Sequence, residues 1–436
     1  MASASQAVWV NMASASPAYD GLPWADDFWR SERVRYQRPW AEYQPFTVWT
    51  SPVWHGRYVN VDDTEMGHLR RTVNEPTPSC EAQEKVKVWV FGGSTTWGMT
   101  DPDWGTVPSF LSKFLNSGEG ICVEVTNLGV PAYVLNQEVI SLLLQLKADR
   151  RPDIAIFYDG GNDAYVGAVS PALPWAHHDF FSIREAIQGH RLLVLLLDHS
   201  GLFYVVRTTV NRIRGKPTVA IVGGDLDAKA KATLQNYEAN IRLVRALAAA
   251  YRFRPFFFWQ PLLYYGEKPM VAFERAIVEN PFLVDFLTPE TGEATIRAVR
   301  AVYAEAERRA QSSGEFTFLG HAFDREREPL YVDGAHLSPR GNELVARIIA
   351  EKIRPYIPPK TSRRVMRNHR ATADWRPPSP AVPRRRELRQ GGVQEATKSL
   401  LAQNHVVVAT NALPIQCLCK RMREAGEPPG HHRRPQ

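Results

Sequence analysis

The feature that most restricts the fold of this chain is a repeated alternation: a short apolar run, a turn of glycine or polar residues, then a longer segment with helical period. Residues 85–91 (KVKVWVF) end in Gly92-Gly93, and residues 121–126 (ICVEVT) end in Asn127-Leu128-Gly129. Residues 154–158 (IAIFY) lead into Asp159-Gly160-Gly161, and residues 255–259 (PFFFW) into Gln260-Pro261. Segments of helical period lie at 108–115, 137–148, 234–251 and 294–311. β-Branched and aromatic runs alternating with helices of this length predict crossover units, and hence a parallel sheet covered on both faces. Sheets of that kind hold ligands beyond the carboxyl ends of their strands. Those ends are where the glycine and polar residues gather here.

Flanking this α/β body are two stretches of different character. Residues 1–85 hold six of the twelve tryptophans (Trp9, Trp24, Trp29, Trp40, Trp49 and Trp54) with several prolines and few periodic runs. We expect a flexible arm over 1–35 and an aromatic-rich extension packed on the core over 36–85. Within the extension, alternation at 46–50 and 57–61, with Pro52 and His55-Gly56 between, suggests a small hairpin. The main domain is expected over 86–358. Beyond it, residues 359–436 are rich in proline and arginine (RPPSPAVPRRR) without a sustained hydrophobic period, which predicts a disordered tail.

Charge divides unevenly along the chain. The formal net charge is +7, yet residues 361–436 carry 15 Lys+Arg against 5 Asp+Glu, leaving 38 against 41 in the first 360. The basicity therefore belongs to the tail, as an arm for polyanions at most, and predicts no specific nucleic-acid binding by the body. Hydrophobic residues at 44% and charged residues at 23% fit a folded globular chain. Four cysteines (Cys80, Cys122, Cys417, Cys419) are too few for a disulfide scaffold and lack the spacing of a zinc site. His177-His178-Asp179 offers metal ligands in sequence, but adjacent side chains rarely converge on one ion, so no metal is expected. The first twenty residues lack the basic and continuous apolar regions of a secretory signal. The most apolar stretch, 192–206, is too short to span a membrane and reads as a buried or groove-lining helix. The long stretch 165–215 reads equally as a lid, an acyl groove or a helical cap.

Three turns carry chemistry. Ser94 follows a strand and two glycines, which places a hydroxyl at a strand's carboxyl end, although Thr96 departs from the Gly-x-Ser-x-Gly elbow. An N-cap serine has the same local signature. Asp333 and His336, three apart before the helix start Ser338-Pro339, have the spacing for a carboxylate to orient an imidazole; a plain capping turn fits them too. The third turn, Gly160-Gly161-Asn162-Asp163, offers an amide donor, and Gly129 offers a backbone N–H. With the N–H of Ser94, these make three donors able to hold a developing oxyanion.

Taken together, Ser94, Gly129, Asn162 and the pair Asp333 and His336 make the chain resemble the SGNH hydrolase superfamily, the GDSL-type esterases and lipases, over residues 86–357. Gly93 stands where the family's name motif has aspartate. The resemblance implies a three-layer α/β/α, flavodoxin-like fold and a serine-dependent acyl ester hydrolase without a cofactor. Ser94 would be the nucleophile, His336 the general base and acid, and Asp333 its partner, with Ser94, Gly129 and Asn162 forming the oxyanion hole. Expected substrates are small-molecule, glycan or lipid esters. Alternatives on the same fold are a carbohydrate O-acetyltransferase or deacetylase, and a binding module without turnover. For compartment, the missing signal points to the cytoplasm and the resemblance, which includes an N-terminal extension of some bacterial members, to the envelope.

Overall fold

The computed structural model describes residues 4–75, 85–117, 122–169, 176–177, 183, 225–280 and 289–357. The tail 359–436, the stretch 192–206 and nearly all of 170–224 lie outside the described residues, so the expectations for the tail and the lid or groove fall there. The four sequence-predicted strands form β6 (Val86–Gly92), β7 (Val123–Gly129), β8 (Ile154–Asp159) and β9 (Arg254–Trp259). A short strand, β10 (Thr317–Phe318), completes a five-stranded sheet of order β10-β9-β8-β6-β7. Every neighbouring pair in it is parallel.

Alternate residues of each strand go to opposite faces, and both faces are apolar. On one face Trp89, Phe91, Phe157, Phe257 and Trp259 pack under α5 (Leu135–Lys147), α7 (Leu226–Tyr251) and α9 (Pro289–Ser313). The ring of Phe157 stacks between those of Phe91 and Phe257 at centroid distances of 4.9 and 5.0 Å. On the other face Val88, Val90, Ile154, Ile156 and Phe258 pack under α4 (Val107–Asn116) and α10 (Pro339–Ile353). The result is the expected three-layer α/β/α arrangement. It also explains why the strands read as continuous apolar runs and not as alternating ones.

Three local expectations are corrected. Strand β7 does not stop before Asn127: it continues through Asn127 and Leu128 to Gly129, which pairs with Gly92. Its polar residue is accommodated because buried Asn127 donates from Nδ2 to the Thr96 carbonyl at 3.0 Å and accepts the Gly129 N–H at 2.9 Å.

Residues 1–35, expected as a flexible arm, include α1 (Ala4–Ala13) and α2 (Ala25–Arg35). Trp9, Val10, Ala13, Phe28 and Trp29 bury their side chains with Trp97 and Val332 of the main domain. The aromatics that made this stretch look irregular are what anchor it.

The extension forms two small sheets in place of one hairpin. Strand β1 (Glu42–Gln44) pairs antiparallel with β2 (Val48–Thr50), while β3 (Trp54–His55), β4 (Asn60–Thr64) and β5 (Gly67–Arg70) form the second. Residues 46–50 therefore turn back on 42–44, through a turn in which Phe46 and Val48 have φ of 70° and 79°, and not onto 57–61. Met66 and Leu69 pack against the core, as Trp49 does against Tyr133.

Candidate active site

The first turn of the site is built by strand β6. It ends at Gly92, and α3 (Ser94–Trp97) begins after Gly93 alone, so the Ser94 side chain stands at the carboxyl end of an inner strand of the sheet. Thr95 and Thr96 tie this short helix down, Thr95 through Gln260 at 3.0 Å and Thr96 through the Tyr158 carbonyl at 3.0 Å.

The second turn is a narrow hairpin. Tyr331 and Leu337 form an isolated antiparallel bridge, reinforced by the Val332 N–H on the His336 carbonyl at 2.9 Å and the Ser338 N–H on the Leu330 carbonyl at 2.8 Å. Ser338 then caps α10, accepting from the Gly341 N–H, with Pro339 in the first turn, so a rigid helix follows directly. The turn between bridge partners presents Asp333 and His336 on one side.

These two turns, remote in sequence, meet. His336 Nε2 lies 2.7 Å from Ser94 Oγ, and His336 Nδ1 lies 2.6 Å from Asp333 Oδ2. The other carboxylate oxygen, Oδ1, accepts the backbone N–H groups of Ala335 and His336 at 2.8 and 2.7 Å. Asp333 is 1% exposed. Burial alone would raise its pKa, but the adjacent His336 charge and the hydrogen bonds from His336 and Ala335 overcome that and hold the carboxyl at about 2. The group is therefore ionised at neutral pH and can only accept, which places a proton on His336 Nδ1 and leaves Nε2 to accept from Ser94.

Asn162 arrives on the third turn. Gly160, with φ of 102°, lets β8 turn at once into α6 (Gly161–Val169); a side chain there would also strike the Trp259 ring. Asn162 in the first turn of α6 donates from Nδ2 to the Tyr133 carbonyl at 2.7 Å. Its amide lies against Gly93, where a Cβ would come within 2.3 Å of Nδ2. Glycine at the residue before Ser94 is thus a requirement of space. It brings Asn162 beside Ser94.

Gly129 does not occupy the place expected of it. As the last residue of β7 it gives its N–H to Asn127 Oδ1, so that donor is engaged inside the fold and unavailable to a ligand. The neighbouring turn is different. The Tyr133 N–H bonds the Val130 carbonyl at 3.2 Å, with Pro131 next and Ala132 at φ of 65°, the pattern of a type II turn that ordinarily takes glycine at Ala132's position. Among the described residues the Ala132 N–H makes no hydrogen bond of its own. In the sequence this turn is marked only by the Pro131-Ala132 pair after a strand, without the glycine that usually signals such a turn.

Of the other sequence candidates, His177 packs edge-on against Trp49 at 5.4 Å, while His178 and Asp179 lie outside the described residues. Among the described residues no group of three or more His, Cys, Asp or Glu side chains is placed to hold a metal ion. No described helix is long and apolar enough to cross a membrane.

No family model matches the chain, and no curated protein matches it. Solved structures do. A lipolytic protein of the G-D-S-L family from Desulfitobacterium hafniense is 13% identical, with 61% of this chain and 99% of that one covered at a TM-score of 0.31. The acetylxylan esterase Axe2 from Geobacillus stearothermophilus is 15% identical over 62% of this chain and 96% of its own, at 0.29. TesA is 13% identical over 62% and 98%, at 0.32. These are among the solved structures to which the chain is similar.

Proposed function

We propose that the protein is a serine-dependent acyl ester hydrolase. The observation that carries this reading is the unbroken chain from Ser94 Oγ through His336 to Asp333, with contacts of 2.7 and 2.6 Å. A hydroxyl is a weak nucleophile at neutral pH, and an imidazole in hydrogen-bond contact is what activates it. In this reading Ser94 Oγ attacks the ester carbonyl carbon as its proton passes to His336 Nε2. The imidazolium, supported by Asp333, returns that proton to the departing alcohol, leaving an acyl group on Ser94. Water, deprotonated by the same nitrogen, then attacks the acyl carbon and releases the acid.

The carbonyl oxygen gains negative charge at each attack and needs donors already in place. We assign this role to the N–H of Ser94, the amide of Asn162 and, in place of Gly129, the N–H of Ala132. Support for Ala132 comes from its turn: the Tyr133 carbonyl that holds Asn162 belongs to the same four residues. A binding module would have no need of a buried ionised acid aligned on a histidine that touches a serine.

The test is a fluorophosphonate probe followed by peptide mapping, run beside a panel of esters of increasing acyl length and a sugar acceptor. Modification of Ser94 with turnover of esters is expected; a transferred acyl group on the sugar would mark an acyltransferase. Absence of labelling at Ser94 in the folded protein would exclude the reading.

Asn162 gives a second, finer test. Because its hydrogen bond strengthens as charge develops, Asn162→Ala should lower kcat by about 10²- to 10³-fold with little change in KM. Turnover and melting temperature measured on one preparation separate this from a purely structural role, which would lower the melting temperature and leave kcat of the folded fraction intact.

A further inference from the structure

The acid of the site has one partner that comes from outside the α/β domain. Trp9, on α1, donates its indole Nε1–H to Asp333 Oδ2 at 2.8 Å across 324 positions of sequence. This is the same oxygen that faces His336 Nδ1. The indole is 8% exposed and meets the His336 ring edge-on, with centroids 5.9 Å apart and planes at 74°. One side chain therefore touches both the acid and the base.

The carboxylate accepts from four N–H groups: two backbone donors on Oδ1, and the imidazole and indole on Oδ2. The backbone pair fixes Oδ1 but leaves the direction of Oδ2 to whatever else binds it. The indole N–H supplies that second constraint, in a buried site where an unmet carboxylate oxygen is costly. The arm is itself held at both ends of the site. Ser16 Oγ donates to the Tyr331 carbonyl at 3.3 Å, and Tyr19 OH donates to the Thr100 carbonyl at 2.7 Å. Behind Trp9 stand Tyr36 and Trp29, at 5.4 and 6.4 Å in edge-on contact.

We propose that Trp9 is a positioning residue of the Ser94–His336–Asp333 chain, so that the N-terminal helix α1 is a working part of the active site and not a cover over it. The proposal rests on the hydrolase reading, and its test separates the two. Trp9→Phe keeps an aromatic ring and removes the N–H. Trp29→Phe is the matched control, because its indole N–H lies in the same aromatic cluster and has no hydrogen-bond partner among the described residues. Fluorophosphonate labelling of wild-type Ser94 is read first and judges the hydrolase reading alone.

Loss of a hydrogen bond to a charged group corresponds to about a tenfold effect or more, so Trp9→Phe should lower kcat by about tenfold with KM unchanged, while Trp29→Phe stays within about twofold of wild type. A readout independent of turnover is the low-field proton resonance of the His336–Asp333 hydrogen bond. It should move in Trp9→Phe, stay in Trp29→Phe and vanish in Asp333→Asn. If Trp9→Phe does not fold, benzothienylalanine at position 9, which replaces the N–H by sulfur at nearly the same shape, takes its place with the same expectations. Equal kcat in the Trp9 and Trp29 variants, or a resonance that does not move, overturns the proposal even where Ser94 is labelled.

Discussion

Ser94→Ala should abolish fluorophosphonate labelling and lower ester turnover by about 10⁴- to 10⁶-fold, the range over which loss of a triad nucleophile acts. The size follows from what remains. His336 stays fixed by Asp333 and the oxyanion donors stay in place, so a bound ester is still polarised, but no oxygen stands 2.7 Å from His336 Nε2 to be activated, and water must take the nucleophile's place. Folding should be nearly untouched, since the half-buried Ser94 side chain has no role in the core and α3 is held by Thr95 and Thr96. Matched circular dichroism and melting curves check that point. Residual labelling at another serine with near-normal turnover would move the nucleophile elsewhere.

Asp333→Asn should lower kcat by about 10⁴-fold, through the tautomer of the histidine. An asparagine whose oxygen keeps the two backbone N–H bonds turns its NH₂ toward His336 Nδ1 and the Trp9 indole. Nδ1 then accepts instead of donating, the proton moves to Nε2, and Nε2 can no longer take the proton of Ser94. Unchanged turnover in a folded variant would point to another orienting acid.

The same substitution changes the response to acid. The Asp333 carboxyl is lowered from an ordinary 3.8 to about 2 in the folded protein. It therefore adds stability that is present above about pH 4 and is lost as the pH falls toward 2, about 2 kcal/mol by linkage. Melting temperatures followed from pH 5 to pH 2 should fall more steeply in the wild type than in Asp333→Asn. Parallel curves would show that the acid's ionisation is not coupled to folding.

The four main strands were legible in the sequence because each is buried on both faces and ends in a turn. β10 was not, because a strand of two residues has no period. The serine, the asparagine and the acid–histidine pair were legible for a related reason: each sits where a strand or bridge stops and a rigid helix starts, and such junctions have their own residue preferences. The surroundings of Gly129 were not legible. Gly129 looked like an open turn, yet Asn127, polar and seemingly part of a loop, is buried and carries the strand two residues further. The left-handed residue is an alanine, which no rule based on glycine would select. Trp9 was invisible for another reason. Its meaning lies in a contact 324 residues away, and local pattern carries no information about such a pair.

That distance has a consequence for how the chain comes to be made. The hydrogen bond between Trp9 and Asp333 closes a very long loop, and contacts of that separation form late because their closure entropy must first be offset by the rest of the fold. During synthesis α1 leaves the ribosome early, and the strand that carries Ser94 soon after it, while the turn bearing Asp333 and His336 emerges after α9. Until then the Ser94 hydroxyl has no base beside it. A nascent chain can pair β6, β7, β8 and β9 and still lack the His336 contact to Ser94, so on the proposed reading the Ser94–His336–Asp333 chain is complete only once the two remote turns have met.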